Sequence, residues 1–254
     1  KSINAVILSH AHLDHCGILP VLVRNGFEVK IYCTKATAEI AKYILSDSAS
    51  IQEQDAEYFN RHAENYDQQI IPLYTKEEAQ KVFDLFEPVE YFRFSKEWTK
   101  INENIKFKFY DAGHILGSCI TFIEVKENGE KKSLIFTGDL GRQVAPMLIS
   151  PEPVQEPADI LISECTYGDR LHSPSEQAFE HIENIVNEAI KNKTKIIVPA
   201  FSLGRTQELI YILHKLFSDK KIPDFPVYID SPLAQNITAV FSDYTKYFDE
   251  EFWE

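Results

Sequence analysis

Three of the eight histidines in the chain fall within six residues, in the segment His10-x-His12-x-Asp14-His15. The short apolar run at residues 3–8 comes directly before it, so we expect a buried strand to end where the histidines begin. Residues 10 and 12 of an extended segment point to the same side. A turn at Asp14 and His15 can direct that pair toward a second metal ion. A polar loop is the alternative, but imidazole and carboxylate at this density favour a metal site.

Two later segments offer further ligands of the same kinds. His114 lies in DAGHILGS at residues 111–118, and Asp139 lies in TGDLG at residues 137–141. Taken alone, His114 is more often a structural histidine and Asp139 a turn residue. A carboxylate at the end of a buried strand is costly, however, unless it is paired or coordinated. Zinc binds imidazole nitrogen and carboxylate oxygen, and a catalytic zinc site keeps one position open for water.

The charge of the chain restricts its partners. The formal net charge is −13, whereas a nucleic-acid binder normally presents a basic face to phosphate. Strong non-specific binding to nucleic acid is therefore disfavoured. Acidic metal ligands add to the negative count, and bound divalent cations would offset part of it locally. The charge weakens an interpretation as a nucleic-acid-binding protein without excluding it.

Composition indicates a folded protein outside the membrane. A chain of 254 residues, 44% of them hydrophobic, is long enough to bury a core. It contains no apolar run of membrane-spanning length and no basic-plus-apolar leader, so we expect a cytoplasmic protein with no membrane partner. The four cysteines lack CxxC spacing and predict reduced thiols rather than a disulfide framework or a zinc ribbon.

The first half of the chain reads as a mixture of strands and helices. We predict a helix over residues 16–24 that Pro20 interrupts, a strand at residues 29–33, and a helix that begins at Thr34. Residues 48–87 are polar and predict two exposed helices. From residue 105 onward three strands are expected, with Asn128-Gly129 as the tight hairpin turn. Residues 158–164 predict a further buried strand that ends in Glu164.

After that strand the pattern alternates strictly between helix and strand. Ser173, Pro174 and Glu176 form a predicted capping box at the start of a helix. Strands are expected at residues 195–200 and 227–230, and helices from Gly204 and Pro232. Such alternation is typical of a parallel sheet with right-handed crossovers. We therefore place a domain boundary near His172.

The histidine-rich segment, His114 and Asp139 together resemble the signature of the metallo-β-lactamase superfamily, which is HxHxDH followed by a separate histidine and an aspartate. Further segments resemble motifs of its β-CASP nuclease branch: ECTYG at 164–168, PAFSLGRTQE at 199–208 and DSPLA at 230–234. The resemblance covers essentially the whole chain. It implies an α/β protein with a four-layer αββα metallo-β-lactamase domain at residues 1–171 and the first part of a parallel α/β β-CASP domain at residues 172–254.

The resemblance also implies how metal ions are held. A complete site of this family binds two Zn²⁺ ions and a water between them that attacks phosphorus. The ligands implied here are His10, His12 and His114 for the first ion, Asp14 and His15 for the second, and Asp139 as a bridge between both.

Three residues are expected to act on the substrate or on the attacking water. Asp14 would orient the attacking water as well as bind metal, and Glu164 would position a catalytic histidine of the β-CASP part. Arg205 stands at the start of a predicted helix, where an anion is favoured, and would contact phosphate. An ordinary surface arginine is the equally weighted alternative for Arg205.

The function implied is zinc-dependent hydrolysis of RNA phosphodiester bonds. The motifs resemble the RNA-processing members of the branch, such as the cleavage-and-polyadenylation endonuclease and its prokaryotic relatives. We therefore expect single-stranded RNA rather than DNA as the partner, and leave a homodimer open. One alternative is a small-molecule hydrolase of the superfamily, which would not need the segments from residue 173 onward. Another is a non-catalytic subunit of an RNA-processing complex, which would be expected to have lost ligands.

The ends of the sequence suggest a trimmed chain. It begins with Lys1, and its only methionine is Met147. The β-CASP histidines that complete the second metal site and protonate the leaving group are expected beyond Glu254. By itself the chain is then expected to retain about one zinc and to cleave RNA poorly.

Overall fold

The computed structural model describes residues 3–62, 69–143, 146–170 and 176–248, with the backbone alone at residue 176. Two β-sheets form its centre, one of three strands and one of five. The capping box predicted at Ser173 and the domain boundary predicted near His172 lie outside the described residues.

The three-stranded sheet is parallel. Its strands are β1 (Val6–Ile7), β2 (Ile31–Cys33) and β3 (Phe86–Pro88), in that spatial order. Parallel neighbours need crossover connections, which helices supply. These helices are α1 (Leu13–Cys16), α2 (Leu19–Arg24), α3 (Lys35–His62) and α4 (Lys76–Phe83).

The five-stranded sheet is antiparallel except at one edge. Its strands are β4 (Thr99–Lys100), β5 (Ile105–Asp111), β6 (Cys119–Glu127), β7 (Glu130–Phe136) and β8 (Ile160–Ile162), and β8 runs parallel to β7. The hairpin predicted at Asn128-Gly129 is confirmed, since β6 and β7 pair across it and both turn residues have positive φ, 51° and 84°. The short helix α5 (Phe92–Ser95) precedes this sheet.

The two sheets pack face to face with helices outside them. Tyr32 of β2 points to the second sheet, where its ring lies 5.2 Å from the ring of Phe107. Its neighbours Ile31 and Cys33 point the other way, into a cluster with side chains of α3 and α4. On the outer face of the second sheet, Phe92 of α5 packs on Tyr110. The predicted αββα arrangement is confirmed.

Three helices follow, namely α6 (Glu176–Asn192), α7 (Arg205–Ser218) and α8 (Pro232–Ser242). Helix α8 begins at the cap Ser231, and its side chains Ile237 and Phe241 join the same core cluster as Phe107. In the described part of the chain, no helix is both long and apolar enough to cross a lipid bilayer.

Two predicted strands of the second half are wrong. Residues 195–200 and 227–230 form no strand, and Ile197 and Tyr228 are 89% and 85% exposed. An apolar run becomes a strand only when a neighbour takes its backbone hydrogen bonds, and no described segment pairs with either run. The prediction of a buried strand at 158–164 is also wrong in burial, since β8 lies at a sheet edge with Leu161 64% exposed.

Two predictions in the first half need correction as well. Pro20 does not interrupt a helix but lies in the first turn of α2, where its missing N–H is not needed. The polar residues after 48 do not begin a separate helix, because α3 runs unbroken to His62. The end of the predicted region 48–87 is not an exposed helix either, because it enters strand β3, which pairs with β2.

Candidate metal centre

The candidate ligands lie where the chain leaves three strands at the same end of the two sheets. His10 and His12 follow β1, His114 lies three residues after β5, and Asp139 lies three residues after β7. Segments that follow neighbouring strands converge, although the sequence positions run from 10 to 139. The structure therefore brings the predicted histidines and Asp139 together.

Glycines allow the loops after β5 and β7 to cross in contact. The N–H of Gly141 donates to the carbonyl of Ala112 over 2.8 Å. A Cβ atom at Gly141 would stand 1.8 Å from the carbonyl oxygen of Gly113, so no larger residue fits there without displacing the backbone. The crossing fixes the position of Asp139 relative to His114.

Four side chains form a compact group whose ligand atoms lie within 4.8 Å of one another. His12 Nδ1 lies 3.1 Å from His10 Nε2 and 3.2 Å from His114 Nε2. The Oδ2 atom of Asp139 lies 3.7 Å from His10 Nε2 and 3.5 Å from His114 Nε2.

The spacings between adjacent ligand atoms are compatible with a zinc site. Zinc bonds of 2.0 to 2.1 Å in a tetrahedron place neighbouring ligand atoms about 3.3 to 3.4 Å apart. The four measured separations lie between 3.1 and 3.7 Å. Three imidazoles and a carboxylate are also a ligand set that zinc accepts. Both the donor types and their spacing therefore fit the metal that the sequence suggests.

A second, smaller set of ligands adjoins the first through Asp139. Its other oxygen, Oδ1, lies 3.4 Å from His15 Nε2, and His15 Nε2 lies 3.5 Å from Asp14 Oδ2. One oxygen of Asp139 thus faces each set. The carboxylate of Asp14 is 79% exposed, so this second set lies at the solvent side of the centre.

Burial keeps the imidazoles neutral, which is the form that binds metal. Desolvation, together with the neighbouring histidines His15, His12 and His114, lowers the pKa of His10 to about 2. Burial also lowers the pKa of His12 and of His114. The four cysteines are all free thiols and none belongs to the group.

Two serines that the sequence analysis did not single out support the histidines. The Ser9 hydroxyl lies 3.1 Å from His10 Nδ1, so that Nε2 is the atom that faces the cluster. The Ser118 hydroxyl accepts the backbone N–H of His114 over 3.1 Å. Such outer contacts orient a ligand and raise its metal affinity.

The loop that carries His114 is anchored by a buried ion pair. The Asp111 carboxylate accepts from Arg93 Nη2 over 2.8 Å and from the backbone N–H of Gly113 over 2.8 Å. Burial raises the pKa of Asp111 to about 6 even though Arg93 opposes that change. Sequence reasoning passed over Asp111 because a carboxylate at a strand end carries no signal for its partner 18 residues earlier.

The remaining two predicted residues lie beside the group. Glu164 is half-buried, and a hydrogen bond from the N–H of Thr166 lowers its pKa. Arg205 begins α7, is exposed and pairs with Glu208 over 2.7 Å. Its charge contributes to the lowered pKa of His114, so it acts on the centre electrostatically.

Family models match both parts of the chain. Residues 1–139, more than half of the sequence, match the metallo-beta-lactamase superfamily domain. The chain belongs to the metallo-β-lactamase superfamily. Residues 206–254 match the Beta-Casp domain, in agreement with the β-CASP resemblance of its motifs. Neither match reaches residues 140–205, so the boundary near His172 stays a prediction.

Curated relatives of this superfamily member are ribonucleases and a cleavage factor. It is 31% identical to Ribonuclease TTHA0252 of Thermus thermophilus, covering 99% of this chain and 52% of that protein. It is 32% identical to Endoribonuclease ysh1 of Schizosaccharomyces pombe, with coverages of 96% and 30%. It is 31% identical to Cleavage and polyadenylation specificity factor 73 of Drosophila melanogaster, with coverages of 95% and 32%. The chain thus spans about half the length of the first relative and about a third of the others.

Solved structures of metallo-β-lactamases resemble the chain more weakly. The crystal structure of a subclass B3 metallo-beta-lactamase of Bradyrhizobium japonicum is 15% identical, with a TM-score of 0.32. The alignment covers 94% of this chain and 75% of that one. A TM-score this low adds nothing to the family assignment.

Proposed function

We propose that the chain carries the catalytic metal centre of a zinc-dependent nuclease that hydrolyses RNA phosphodiester bonds. The observation that supports it most is the grouping of four ligand atoms within 4.8 Å of one another, with the second oxygen of Asp139 turned toward a further histidine and carboxylate. A structural zinc site is closed, whereas this one continues into a solvent-exposed second set, as a catalytic site requires.

The chain's residues would hold two ions. His10, His12, His114 and Oδ2 of Asp139 would bind the first, and Asp14, His15 and Oδ1 of Asp139 would bind the second. When bound, such a pair of ions lowers the pKa of water and offsets the charge that develops on the phosphate.

The protein's own groups would prepare the substrate and the nucleophile. The exposed carboxylate of Asp14 accepts a hydrogen bond from the attacking water and so orients it. Arg205 lies at the N-terminus of the fourteen-residue helix α7. When RNA binds, its guanidinium exchanges the ion pair with Glu208 for hydrogen bonds to a phosphate oxygen. Glu164, whose negative form is favoured, would hold a histidine of the β-CASP part that protonates the leaving oxygen.

RNA is the substrate that the relatives favour. Two of them are named as ribonucleases, and both align along nearly the whole of this chain. Cleavage in single-stranded regions, a homodimer and a cytoplasmic location stay predictions from the sequence.

Hydrolysis of a fluorescent single-stranded RNA tests the proposal, with zinc-reloaded protein that includes the β-CASP histidines expected beyond Glu254. We expect cleavage that stops when a chelator is added and returns with Zn²⁺. Asp139→Asn should lower the rate by about 10²-fold or more while the circular dichroism spectrum is kept, because a neutral amide is a poor bridge between cations. Asp169→Asn, which removes a 77% exposed carboxylate elsewhere, is the matched control and should cleave normally.

Two results would overturn the proposal. One is wild-type turnover in Asp139→Asn. The other is zinc-reloaded protein that leaves RNA intact but hydrolyses a thioester or a lactone, which would make the chain a small-molecule hydrolase.

A further inference from the structure

Four lysines share one face of the five-stranded sheet, at the end remote from the metal centre. In the register of the sheet, Lys100 of β4 lies opposite Lys106 of β5, and Lys126 of β6 lies opposite Lys131 of β7. Opposed residues project to the same face, as do residues two apart in a strand. Glu124 lies opposite Lys106 and two residues before Lys126. Both lysine pairs therefore lie on the same face as Glu124.

This arrangement costs stability. Like charges directly opposite each other destabilise an antiparallel pair, and here two such pairs are adjacent. Glu124 relieves only part of the repulsion, because its carboxylate contacts the ammonium groups of Lys106 and Lys131. Lys100 and Lys126 are exposed, and no described residue provides either of them with a carboxylate within ion-pair distance.

The lysines line a groove, which we call the lysine groove, with a volume of about 300 Å³. Its charged lining residues are the four lysines and the two carboxylates of Glu103 and Glu124, which give a local net charge of +2. The overall charge of the chain is −13. The Lys106 ammonium also lies 3.8 Å above the ring of Trp98, which limits its movement. The groove is therefore a preformed positive site on an acidic protein.

We propose that the lysine groove binds the phosphate backbone of the single-stranded RNA that the metal centre cleaves. This inference rests on the proposed function, because the substrate is then itself a polyanion that an acidic protein would otherwise repel. Lysine ammonium groups bind phosphate as point charges without reading sequence. Anion binding also offsets the cost of the two like-charge pairs.

The groove lies at a useful distance from the reaction. Strand β5 connects the two sites, with Lys106 at the groove and Asp111 at the base of the His114 loop. Five residues of strand span about 17 Å. An RNA strand held in the groove is thus anchored several nucleotides from the scissile bond, which lowers the entropic cost of presenting that bond to the metals.

Fluorescence anisotropy with a labelled single-stranded RNA, in chelator and between 50 and 200 mM salt, tests the inference without any hydrolysis. Each lysine–phosphate contact contributes about 0.7 to the slope of log affinity against log salt for a single strand. The double variant Lys100→Gln/Lys126→Gln should bind RNA more weakly at 50 mM salt, with a slope smaller by about 1.4. Its urea midpoint should equal or exceed that of the wild type, because the like-charge pairs are gone.

The matched control removes the same charge elsewhere. Lys132 lies opposite Val125 on the other face of β7, and Lys42 is exposed on α3. Lys132→Gln/Lys42→Gln should keep the wild-type slope.

Several outcomes would overturn the inference. These are equal slopes in both double variants, a wild type that binds no RNA, and a lowered urea midpoint in the groove variant, which would show a structural role. Displacement of the labelled RNA by poly-glutamate as effective as that by unlabelled RNA, at equal concentrations of charge, would also contradict the inference. The groove would then bind an acidic protein segment. The zinc-dependent cleavage assay reports on the proposed function whatever the groove does.

Discussion

At the scale of single residues, the structure depends on one fully buried imidazole. His10 has no exposed surface, and the rings of His12, His15 and His114 surround it within about 5 Å. A buried ring nitrogen that faces other nitrogens cannot hydrogen-bond to water, so a cation that accepts its lone pair would stabilise this position. Ser9 determines which of its nitrogens faces inward.

We expect Ser9→Ala to weaken zinc binding by about 10- to 100-fold, because the supporting hydrogen bond that orients His10 is lost while the ligand itself stays. Competition with a chromogenic chelator measures the affinity. Ser50→Ala removes a half-buried hydroxyl that bonds within α3 and serves as the control. Unchanged affinity in Ser9→Ala would show that packing alone orients His10.

Residue identity pointed to the candidate ligands, whereas the residues that support them had no sequence signal. A density of three histidines in six residues is rare enough to point to metal, and His114 and Asp139 followed from the family signature. Ser9, Ser118 and Arg93 act through contacts that depend on tertiary placement. Serine and arginine are common on any surface, so no local pattern identifies them.

At the scale of elements, the centre depends on two loops that cross. We expect Gly141→Ala to destabilise the protein by about 2 kcal/mol or more and to reduce zinc binding, because the added methyl group meets the carbonyl of Gly113 and separates Asp139 from His114. Chemical denaturation and metal titration measure the two effects.

Gly129→Ala provides the comparison for this loop. Gly129 has a φ of 84° in the hairpin turn and open space around it, so alanine there should cost about 1 to 2 kcal/mol without changing metal affinity. Equal zinc affinity in both glycine variants would refute the role of the crossing.

An ion pair joins two of the outer helices. Arg24 of α2 donates two hydrogen bonds of 2.6 Å to Glu78 of α4 and lowers the pKa of that carboxyl to about 2. Since the folded-state pKa lies below the unfolded value near 4.5, the pair stabilises the fold above pH 4.5, and this contribution is lost as the pH falls toward 2.

Glu78→Gln should therefore lower the free energy of unfolding by about 1 kcal/mol at pH 7, with the difference from wild type shrinking below pH 4.5. Urea titrations at pH 7, 5, 4 and 3 measure it. Glu77→Gln, on the same helix but 79% exposed, should change stability less. A difference that grows as the pH falls would contradict the sign of this linkage.

Elements with local signals were predictable, whereas those that depend on a partner were not. The hairpin at Asn128-Gly129 follows from the turn residues themselves. The runs at 195–200 and 227–230 have the right composition for strands, but composition does not supply a neighbour for their hydrogen bonds. The two-residue β4 and the three-residue β3 are too short to leave a periodic pattern.

At the scale of the whole molecule, the two halves of the sequence share one core. Leu203 and Ile237 from the second half lie in the same apolar cluster as Ile115 and Leu116, which flank the loop of His114. The helices α6 and α7 also form a cluster of their own. The part that matches the β-CASP domain thus shares an apolar core, through Ile237, with the loop that carries His114.

X-ray absorption at the zinc edge of the zinc-loaded chain tests the central claim most directly. We expect nitrogen and oxygen neighbours at about 2.0 to 2.2 Å, with the outer scattering of imidazole rings and no sulfur at about 2.3 Å. His12→Ala should lose the tightly bound zinc, and His62→Ala, on the exposed end of α3, should keep it. A sulfur shell, or tightly bound zinc unaffected by His12→Ala, would contradict the assignment of the centre to His10, His12, His114 and Asp139.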